Sequence, residues 1–600
     1  MISSQHPYVS PSQRRWGAVS WWFSLVLIVP FLGIAFTFVW TQFLAGSSLE
    51  GRVIDAYTGE GVADAQVQAG DRDTRTSDDG AFTIRNTDSS LVTVSRDGYD
   101  SAEYELPADD SDVSNPESIE IALRPTTMTG QVTERVEEAP LGGVVIDAVF
   151  DGEVVASTES DADGSFVLTD IPEGAEIRFT YQDYAEVVEP IDDRTEMTVS
   201  MRPGVLSGTV LTADGEPIVD ASVGIHDALT FTGEDGTFRL ENIPEDGELM
   251  FKAPGYHALG RVLDDQMNIE VTLDEKRVRA IYVTAGAVGN EEKFNELLDL
   301  AERTEISAMV IDIKDSTGQI FYDSQVELAN EIGAVNPQYD VEEMIRELNE
   351  REIYTIARQV IFEDPKLAAA RNDLAIANSQ GGLWQTWNGI TWLNAYEEEI
   401  WDYNIEIMLE AVELGFDEVQ FDYMRFPSDG PLDQADYGVE EHNSETRVAA
   451  IAGFLQRAHE AIIPTRAYLG GDIFGLTLWE LGDGGIGQNL EAMTPHLDYI
   501  KPMIYPSHFY PGSMGFDIPN DHPYEVILYS LQNAAERIPG QVDKLRPWLQ
   551  DFSYGEGKEY GPDEVRDQIR ASEEFGATGW MLWSASNNYQ EGALEPANDE

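Results

Sequence analysis

The segment 415–427, Gly-Phe-Asp-Glu-Val-Gln-Phe-Asp-Tyr-Met-Arg-Phe-Pro, contains residues that could do acid–base chemistry. Val419 and Phe421 predict a buried strand that runs into Asp422, and Arg425 follows three residues later. In a parallel α/β barrel, catalytic groups lie at the carboxyl ends of the strands. The alternative is a structural pair in which Arg425 fixes a loop against Asp422. The segment predicts Asp422 as a catalytic carboxylate that Arg425 keeps charged.

Strand-like and helix-like segments alternate from Val278 onward. The predicted strands are 280–283, 308–313, 354–357, a strand ending at Asp422, 466–469, 499–503, 545–549 and 579–583; the predicted helices include 291–303, 341–351, 397–414 and 445–462. About eight such units in this length predict a (β/α)8 TIM barrel over residues 276–595. An open doubly wound sheet is the alternative, although no glycine-rich phosphate loop follows the first strand.

Acids, cations and aromatic residues follow the predicted strands. They are Asp312, Lys314, Arg358, Asp422, Arg425, Asp472, Lys501, Tyr505, Asp551 and Trp583. A saccharide needs carboxylates for chemistry, polar groups for its hydroxyls and aromatic faces for its ring. Candidate stacking residues are Trp384, Trp387, Trp392, Tyr505, Trp548, Trp580 and Trp583, some of which could instead be core. Together these residues predict a saccharide site on one rim of the barrel.

Four segments resemble a glycoside hydrolase domain family that was first catalogued as a domain of unknown function. They are 308–315, 416–427, 501–506 and 548–552, and the resemblance extends over about residues 276–590. The family is distantly related to the α-amylase-like barrels. The resemblance implies Asp422 as nucleophile, Asp472 as acid/base and Asp551 as helper. The related enzymes use Glu at the fifth strand, so Glu480 is the alternative acid/base.

The implied chemistry needs one carboxylate that stays ionised and a second that holds a proton. Glycosidases of this kind need no metal or other cofactor, and the eight His form no HExxH pattern. The substrate-binding residues implied are Asp312, Lys314, Arg358, Arg425, Lys501, Tyr505 and Trp583. A barrel that binds polysaccharide without cleaving it is the second hypothesis.

Residues 48–275 contain three copies of a β-rich pattern. The copies open at Gly51, Gly130 and Gly208, and each has an Asp-Gly turn before an aromatic residue: Asp79-Gly80, Asp163-Gly164 and Asp235-Gly236. Asp-Gly between strands predicts a hairpin. We expect three β-sandwich modules at 48–125, 126–203 and 204–275. They resemble carboxypeptidase regulatory-like domains, a transthyretin-like family, which implies spacer or binding units, and we expect a stalk.

Residues 16–45 are apolar and long enough to span a bilayer. Arg14 and Arg15 precede them, so the positive-inside rule places residues 1–15 in the cytoplasm. We expect a single-pass transmembrane helix in the cell membrane, with the later domains extracytoplasmic. A cleaved signal peptide is the alternative, and it also exports the rest of the chain.

The formal net charge is −73, from 110 acidic and 37 basic residues. So strong a negative charge argues against nucleic acid as a partner, because phosphates are repelled. It is typical of halophilic proteins, in which concentrated salt screens the self-repulsion. The chain has no Cys, which excludes disulfides, thiolate metal sites and thiol nucleophiles.

Overall fold

The computed structural model describes residues 48–87, 89–106 and 118–597. The expected cytoplasmic segment 1–15 and transmembrane helix 16–45 lie outside the described residues. Within the part of the chain that is described, no helix has the length and apolarity needed to cross a membrane.

Three modules of seven strands each form the described amino-terminal region. Their strands are β1 Ser48–Asp55, β2 Gln66–Ala69, β3 Arg72–Arg75, β4 Ala81–Arg85, β5 Leu91–Ser95, β6 Ala102–Glu105 and β7 Ile119–Leu123; β8 Met128–Glu134, β9 Val145–Phe150, β10 Glu153–Glu159, β11 Ser165–Leu168, β12 Glu176–Thr180, β13 Val187–Pro190 and β14 Glu196–Met201; β15 Val205–Thr212, β16 Ser222–Ile225, β17 Ala228–Phe231, β18 Thr237–Glu241, β19 Glu248–Lys252, β20 Leu259–Val262 and β21 Asn268–Leu273. Each module has a three-stranded and a four-stranded sheet, and its first strand pairs antiparallel with its fourth and parallel with its seventh. The repeated strand order confirms a β-sandwich architecture in this region.

The Asp-Gly turns do not form the hairpins that the sequence predicted. In the first module, β3 pairs with β2 whereas β4 pairs with β1, so the Asp79-Gly80 turn connects the two sheets. Gly80 has a φ of 81°, and a Cβ there would lie 2.2 Å from the carbonyl oxygen of Val53. The turn therefore needs glycine because it packs against the backbone of β1.

The third module belongs to the same compact unit as the barrel, whereas the first two modules form a separate unit. The buried ammonium of Lys252 donates to the carbonyl oxygens of Ala467 (2.8 Å) and Ile462 (3.2 Å). The Gly255 amide donates to the hydroxyl of Tyr499 at 3.0 Å. These contacts make the third module part of the barrel unit rather than a free segment of the expected stalk.

Eight parallel strands close into a barrel in the described carboxyl-terminal part. They are β22 Val278–Val283, β23 Ala308–Lys314, β24 Tyr354–Val360, β26 Glu418–Asp422, β28 Tyr468–Phe474, β29 Tyr499–Met503, β30 Trp548–Gln550 and β31 Gly579–Trp583, with a small pair β25 Ala377–Asn378 and β27 Ala435–Asp436 above. The helices are α1 Ala285–Val288, α2 Glu291–Arg303, α3 Glu327–Glu331, α4 Val341–Glu350, α5 Pro365–Ala370, α6 Glu398–Leu414, α7 Ser444–Ile462, α8 Leu490–Met493, α9 Pro523–Arg537 and α10 Pro562–Phe575. The predicted barrel is confirmed.

The barrel has two apolar cores. One lies between the strands and the outer helices, and the other fills the barrel interior around Val310, Ile356 and Met581. Because side chains alternate along a strand, every second strand residue points into the interior. This alternation determines which polar side chains can reach the site.

The fifth strand is longer than predicted. It spans Tyr468–Phe474 instead of 466–469, so Asp472 lies within the strand and not after it. Gly470 permits this course, because a Cβ there would lie 2.9 Å from the Lys501 Nζ and 3.0 Å from the Glu418 Oε1. Gly470 therefore makes room for charged side chains inside the barrel.

Candidate active site

The centre of the site is a guanidinium between two carboxylates. Arg358 on β24 donates to Asp422 through Nη2 (2.6 Å) and Nε (3.1 Å), and to Asp312 through Nη1 (2.6 Å). Asp312 is on β23 and Asp422 ends β26, so three neighbouring strands supply the group. All three side chains are buried. Charge-assisted bonds of this kind fix both carboxylates in position.

Aromatic rings line the Arg358 side of the site. Tyr282 stacks on Trp583 with ring centroids 4.1 Å apart, and the Arg358 guanidinium lies 5.3 Å from the Trp583 ring. The Tyr282 hydroxyl donates to Asp312 at 2.5 Å. Burial raises the pKa of the Asp312 carboxyl, although Arg358 and the Tyr282 hydroxyl oppose that shift.

Asp472 lies in a different electrostatic environment from Asp422. Its Oδ1 accepts from the Trp548 indole (2.8 Å) and the Gln420 amide (2.9 Å), and its Oδ2 accepts from the same amide (2.7 Å). Burial raises the pKa of Asp472 well above its usual range, and the nearby charge of Asp422 raises it further. The neighbouring cations make their ion pairs with other carboxylates: Arg358 with Asp312 and Asp422, and Lys501 and Arg546 with Glu418. Asp472 is therefore the carboxyl of this group that favours a proton.

A buried ion-pair network lies below Asp472 in the barrel interior. Glu418 pairs with Arg546 at 2.7 Å and with Lys501, and the Lys501 ammonium donates to the Gln420 amide oxygen. Burial alone would raise the pKa of Glu418, but Arg546 and Lys501 outweigh it and lower the pKa. The lysine orients Gln420 so that its NH₂ group faces Asp472.

The charged side chains that are connected by ion pairs and hydrogen bonds around Arg358, Asp472 and Glu418 form one set of linked groups, and their formal charges do not balance. Four carboxyl groups and three cations belong to them: Asp312, Glu418, Asp422 and Asp472, and Arg358, Lys501 and Arg546. Burying an unpaired charge costs several kcal/mol, so one bound proton would restore neutrality. Asp472 is the best location for that proton, since it lacks the direct cation contacts that the other three carboxyls have.

The backbone at the end of β26 is strained. Tyr423 has a φ of 52°, in the left-handed region that residues other than glycine rarely adopt. This conformation lets the Tyr423 amide donate to Asp422 Oδ1 at 2.6 Å. Strain of this kind costs on the order of 1–3 kcal/mol and clusters at active sites.

Arg425 does not make the ion pair with Asp422 that the sequence predicted. Its Nη1 donates to the Phe426 carbonyl oxygen (3.1 Å) and the Ser428 hydroxyl (3.3 Å). Its guanidinium lies between the rings of Trp392, Tyr423 and Phe474 at 4.8–5.0 Å. Arg358, one strand away, takes the role because its side chain points into the barrel beside Asp422.

Lys314 is outside the site, contrary to the prediction. It is fully buried against α6, where its ammonium pairs with Asp364 at 2.9 Å and donates to Asn404 at 3.2 Å. The register between β23 and β24 shifts after Asp312, so Lys314 pairs with Gln359 and both turn outward. Lys501 is inside the barrel, but one layer below the site and paired with Glu418.

Of the remaining predicted residues, Tyr505 lies near the centre of the site, whereas Glu480 and Asp551 form no hydrogen bond with Asp422 or Asp472. Tyr505 is buried near the centre, where burial raises the pKa of its hydroxyl and the charges of Asp472 and Asp422 add to the shift. Glu480 is exposed after β28, whereas Asp472 is buried within that strand. Asp551 accepts from the Gln590 amide at 3.0 Å, and none of its hydrogen bonds reaches Asp422 or Asp472.

The candidate stacking residues differ in where they lie. Trp384, Trp392 and Trp580 are buried in the outer core, Trp548 points inward to Asp472, and Trp387 is 75% exposed. The sequence analysis did not predict four residues that point into the barrel at or below the site: Tyr282, Glu418, Gln420 and Arg546. Counting every second residue back from Asp422 would have placed Gln420 and Glu418 on its face of the strand.

The family described as "Putative glycosyl hydrolase domain" matches residues 280–589, just over half of the chain. The chain belongs to this glycosyl hydrolase family. Its barrel is therefore a glycoside hydrolase domain, and the predicted resemblance is confirmed. The carboxypeptidase regulatory-like domain family matches residues 48–123, which are the first β-sandwich module.

Several solved structures are similar to part of the chain. A hypothetical protein from Ruminiclostridium thermocellum ATCC 27405 is 38% identical over 32% of this chain and 96% of its own, with a TM-score of 0.29. The PgaB (BpsB) glycoside hydrolase domain from Bordetella bronchiseptica is 12% identical over 52% of this chain and 95% of its own (TM-score 0.39). A class V chitinase from Pseudomonas fluorescens Pf-5 is 13% identical over 53% of this chain and 98% of its own, with a TM-score of 0.31. No curated protein matches the chain.

Proposed function

We propose that this chain is an exported, membrane-anchored glycoside hydrolase that cleaves an extracellular or cell-envelope polysaccharide through Asp422 and Asp472. The observation that carries the proposal is the contrast between these two carboxyls. Asp422 is ion-paired to Arg358 at 2.6 Å, whereas the pKa of Asp472 is raised by burial and by the charge of Asp422. Two carboxyl groups whose environments differ in this way are suited to opposite roles in glycoside hydrolysis.

In the proposed reaction, Asp472 gives its proton to the glycosidic oxygen as the bond from that oxygen to the anomeric carbon breaks. The leaving sugar departs as an alcohol. Positive charge develops at the anomeric carbon, and the carboxylate of Asp422 stabilises it or attacks it. Water then adds its hydroxyl to the anomeric carbon and gives its other proton to Asp472; if Asp422 has bonded to that carbon, the same step breaks the bond and frees the carboxylate. Arg358 and Tyr423 hold Asp422 in place throughout, and the Tyr282–Trp583 stack offers a face for the sugar ring.

The pH dependence of kcat/KM tests the role of Asp472. The active form carries a proton on Asp472, so activity is lost as pH rises through the pKa of that group. Because this pKa is raised, we expect full activity through neutral pH and a decline only in the alkaline range. The measurement is a pH profile of kcat/KM with a natural saccharide in molar salt.

A matched substrate separates the acid from other titrating groups. A glycosyl fluoride needs no protonation of its leaving group. With this substrate and the same enzyme, kcat/KM should therefore show no decline in the alkaline range. A decline that begins near the usual carboxyl pKa of about 4 would contradict the proposed acid. The same alkaline decline with the fluoride would place the titrating group elsewhere.

The proposed location is tested by proteolysis of intact cells. Arg14 and Arg15 before the apolar segment support a cytoplasmic amino terminus, so we expect added protease to remove the β-sandwich modules and the barrel. The readout is an antibody to the barrel, with a cytosolic protein as the control for cell integrity. Full protection of the barrel would reverse the proposed orientation.

A further inference from the structure

An apolar cavity opens at the carboxyl ends of β28 and β29. Its volume is about 300 Å³, and Phe474, Met503, Tyr505, His508 and Phe509 line it. Ligand pockets begin at about this volume, and most of their lining is typically apolar or aromatic. The cavity is therefore large enough for a small ligand, and its walls suit an apolar face.

The cavity lies one side-chain layer above Asp472. Asp472 pairs with Lys501 in the register of β28 and β29, and Phe474 pairs with Met503 two residues later. Side chains two residues apart on a strand lie on the same side, so Phe474 and Met503 follow Asp472 and Lys501 on the inward face. Tyr505 lies in the cavity wall and close enough to Asp472 to feel its charge.

The two sides of the site differ in chemistry. On the side of β22, β23, β24 and β31, charged Arg358 and Asp312 lie beside the Tyr282–Trp583 stack. On the side of β28 and β29, the cavity wall is mainly apolar, and its polar groups are the Tyr505 hydroxyl and the His508 ring. A general acid must contact the oxygen of the leaving group, and so the leaving sugar has to lie on the Asp472 side.

Aromatic rings continue from the cavity to the surface. Tyr505 lies 5.4 Å from the His508 ring, and His508 lies 5.4 Å from the ring of Tyr554, which is 63% exposed. A path of rings suits a chain of sugars better than a small leaving group, because each pyranose can place its C–H face on a ring.

Building on the proposed function, we infer that the cavity walled by Phe474, Met503, Tyr505 and Phe509 is the binding site for the leaving-group saccharide. The sugar whose oxygen Asp472 protonates sits in the cavity with its C–H face on these side chains. Further sugars of the leaving chain pass over His508 and Tyr554. This assignment makes the apolar side a determinant of affinity for the leaving group and leaves the other side to hold the sugar with the anomeric carbon.

The test compares two substrates with the full-length enzyme. One is an oligosaccharide that the enzyme cleaves, and the other is the fluoride of the sugar that carries its reacting anomeric carbon. Phe509→Ala and Met503→Ser should each lower kcat/KM for the oligosaccharide about tenfold, the scale at which truncating a buried contact residue is felt in binding. Neither variant should change kcat/KM for the fluoride by more than about twofold, because fluoride does not occupy the cavity.

Tyr529→Ala is the matched control, since Tyr529 is a partly exposed aromatic residue on the outer helix α9 and should affect neither substrate. The fluoride also reports whether each variant has an intact site, so a folding defect would appear as a loss on both substrates. A thermal melt of each variant separates such a folding defect from a defect at the site. Parallel losses on both substrates in variants that melt like the wild type, or no loss on the oligosaccharide, would overturn the assignment while leaving the proposed hydrolase in place. A wild-type enzyme that cleaves neither substrate would overturn both.

Discussion

Asp422→Asn lowers kcat for polysaccharide hydrolysis by at least about 10³-fold, which is the expected scale for losing a group that stabilises charge only in the transition state. The amide keeps the size of the side chain and one of its hydrogen bonds to Tyr423 or Arg358. It removes the negative charge that, in the proposed reaction, faces the anomeric carbon. The measurement is kcat together with a thermal melt. We expect a smaller fall in the melting temperature than in Asp364→Asn, because Arg358 keeps its ion pair with Asp312 at 2.6 Å.

Asp364→Asn is the matched control for this variant. Asp364 is also a buried aspartate paired with a cation, Lys314 at 2.9 Å, but it lies on the outer side of the barrel. The same chemical change there should reduce stability and leave kcat within about twofold, because it touches no group at the site. Near-normal activity in Asp422→Asn would remove the proposed role of Asp422.

Glu418→Gln is expected to cost about 3–5 kcal/mol of the free energy of unfolding of the barrel, as for other buried ion pairs that lose one partner. Lys501 and Arg546 are both fully buried, and both lose the carboxylate that compensates their charge. The measurement is denaturant unfolding followed by Trp fluorescence in molar salt. Glu343→Gln on the exposed side of α4 is the control and should change the free energy by less than about 0.5 kcal/mol.

The same variant tests the charge balance around Asp472. Removing Glu418 leaves three carboxyls and three cations in the linked groups, so the interior no longer needs a bound proton. The pKa of Asp472 should fall, and the alkaline decline of kcat/KM should move to lower pH. An unchanged decline in a folded Glu418→Gln enzyme would show that the proton on Asp472 does not depend on this network.

The barrel was predictable from the sequence because its outer elements carry strong local signals. The helix predicted at 291–303 forms over Glu291–Arg303, where the Asn290 side chain caps it by accepting from the Lys293 amide at 3.1 Å. The strand that ends at Asp422 was also predicted, and so was the proximity of Asp312, Arg358, Asp422 and Asp472. Apolar runs, caps and the order of strands carry this information.

The direction of the polar side chains was harder to predict. Lys314 follows Asp312 by two residues and would share its side in a regular strand, but a register shift turns it outward. Arg425 follows Asp422 closely in sequence, whereas Arg358 from the neighbouring strand makes the ion pair. Both predictions were wrong because contacts between strands depend on their register, and a single sequence does not determine that register.

The direct test of the central claim is the release of reducing ends from a panel of extracellular and cell-envelope polysaccharides by the purified full-length chain. The assay belongs in molar salt, because a chain with a net charge of −73 is least strained there. We predict new reducing ends from at least one polysaccharide with the wild type and none above background with Asp422→Asn. Polysaccharide binding by the wild type with no reducing ends released from any member of the panel would contradict the claim and indicate a barrel that binds sugar without cleaving it.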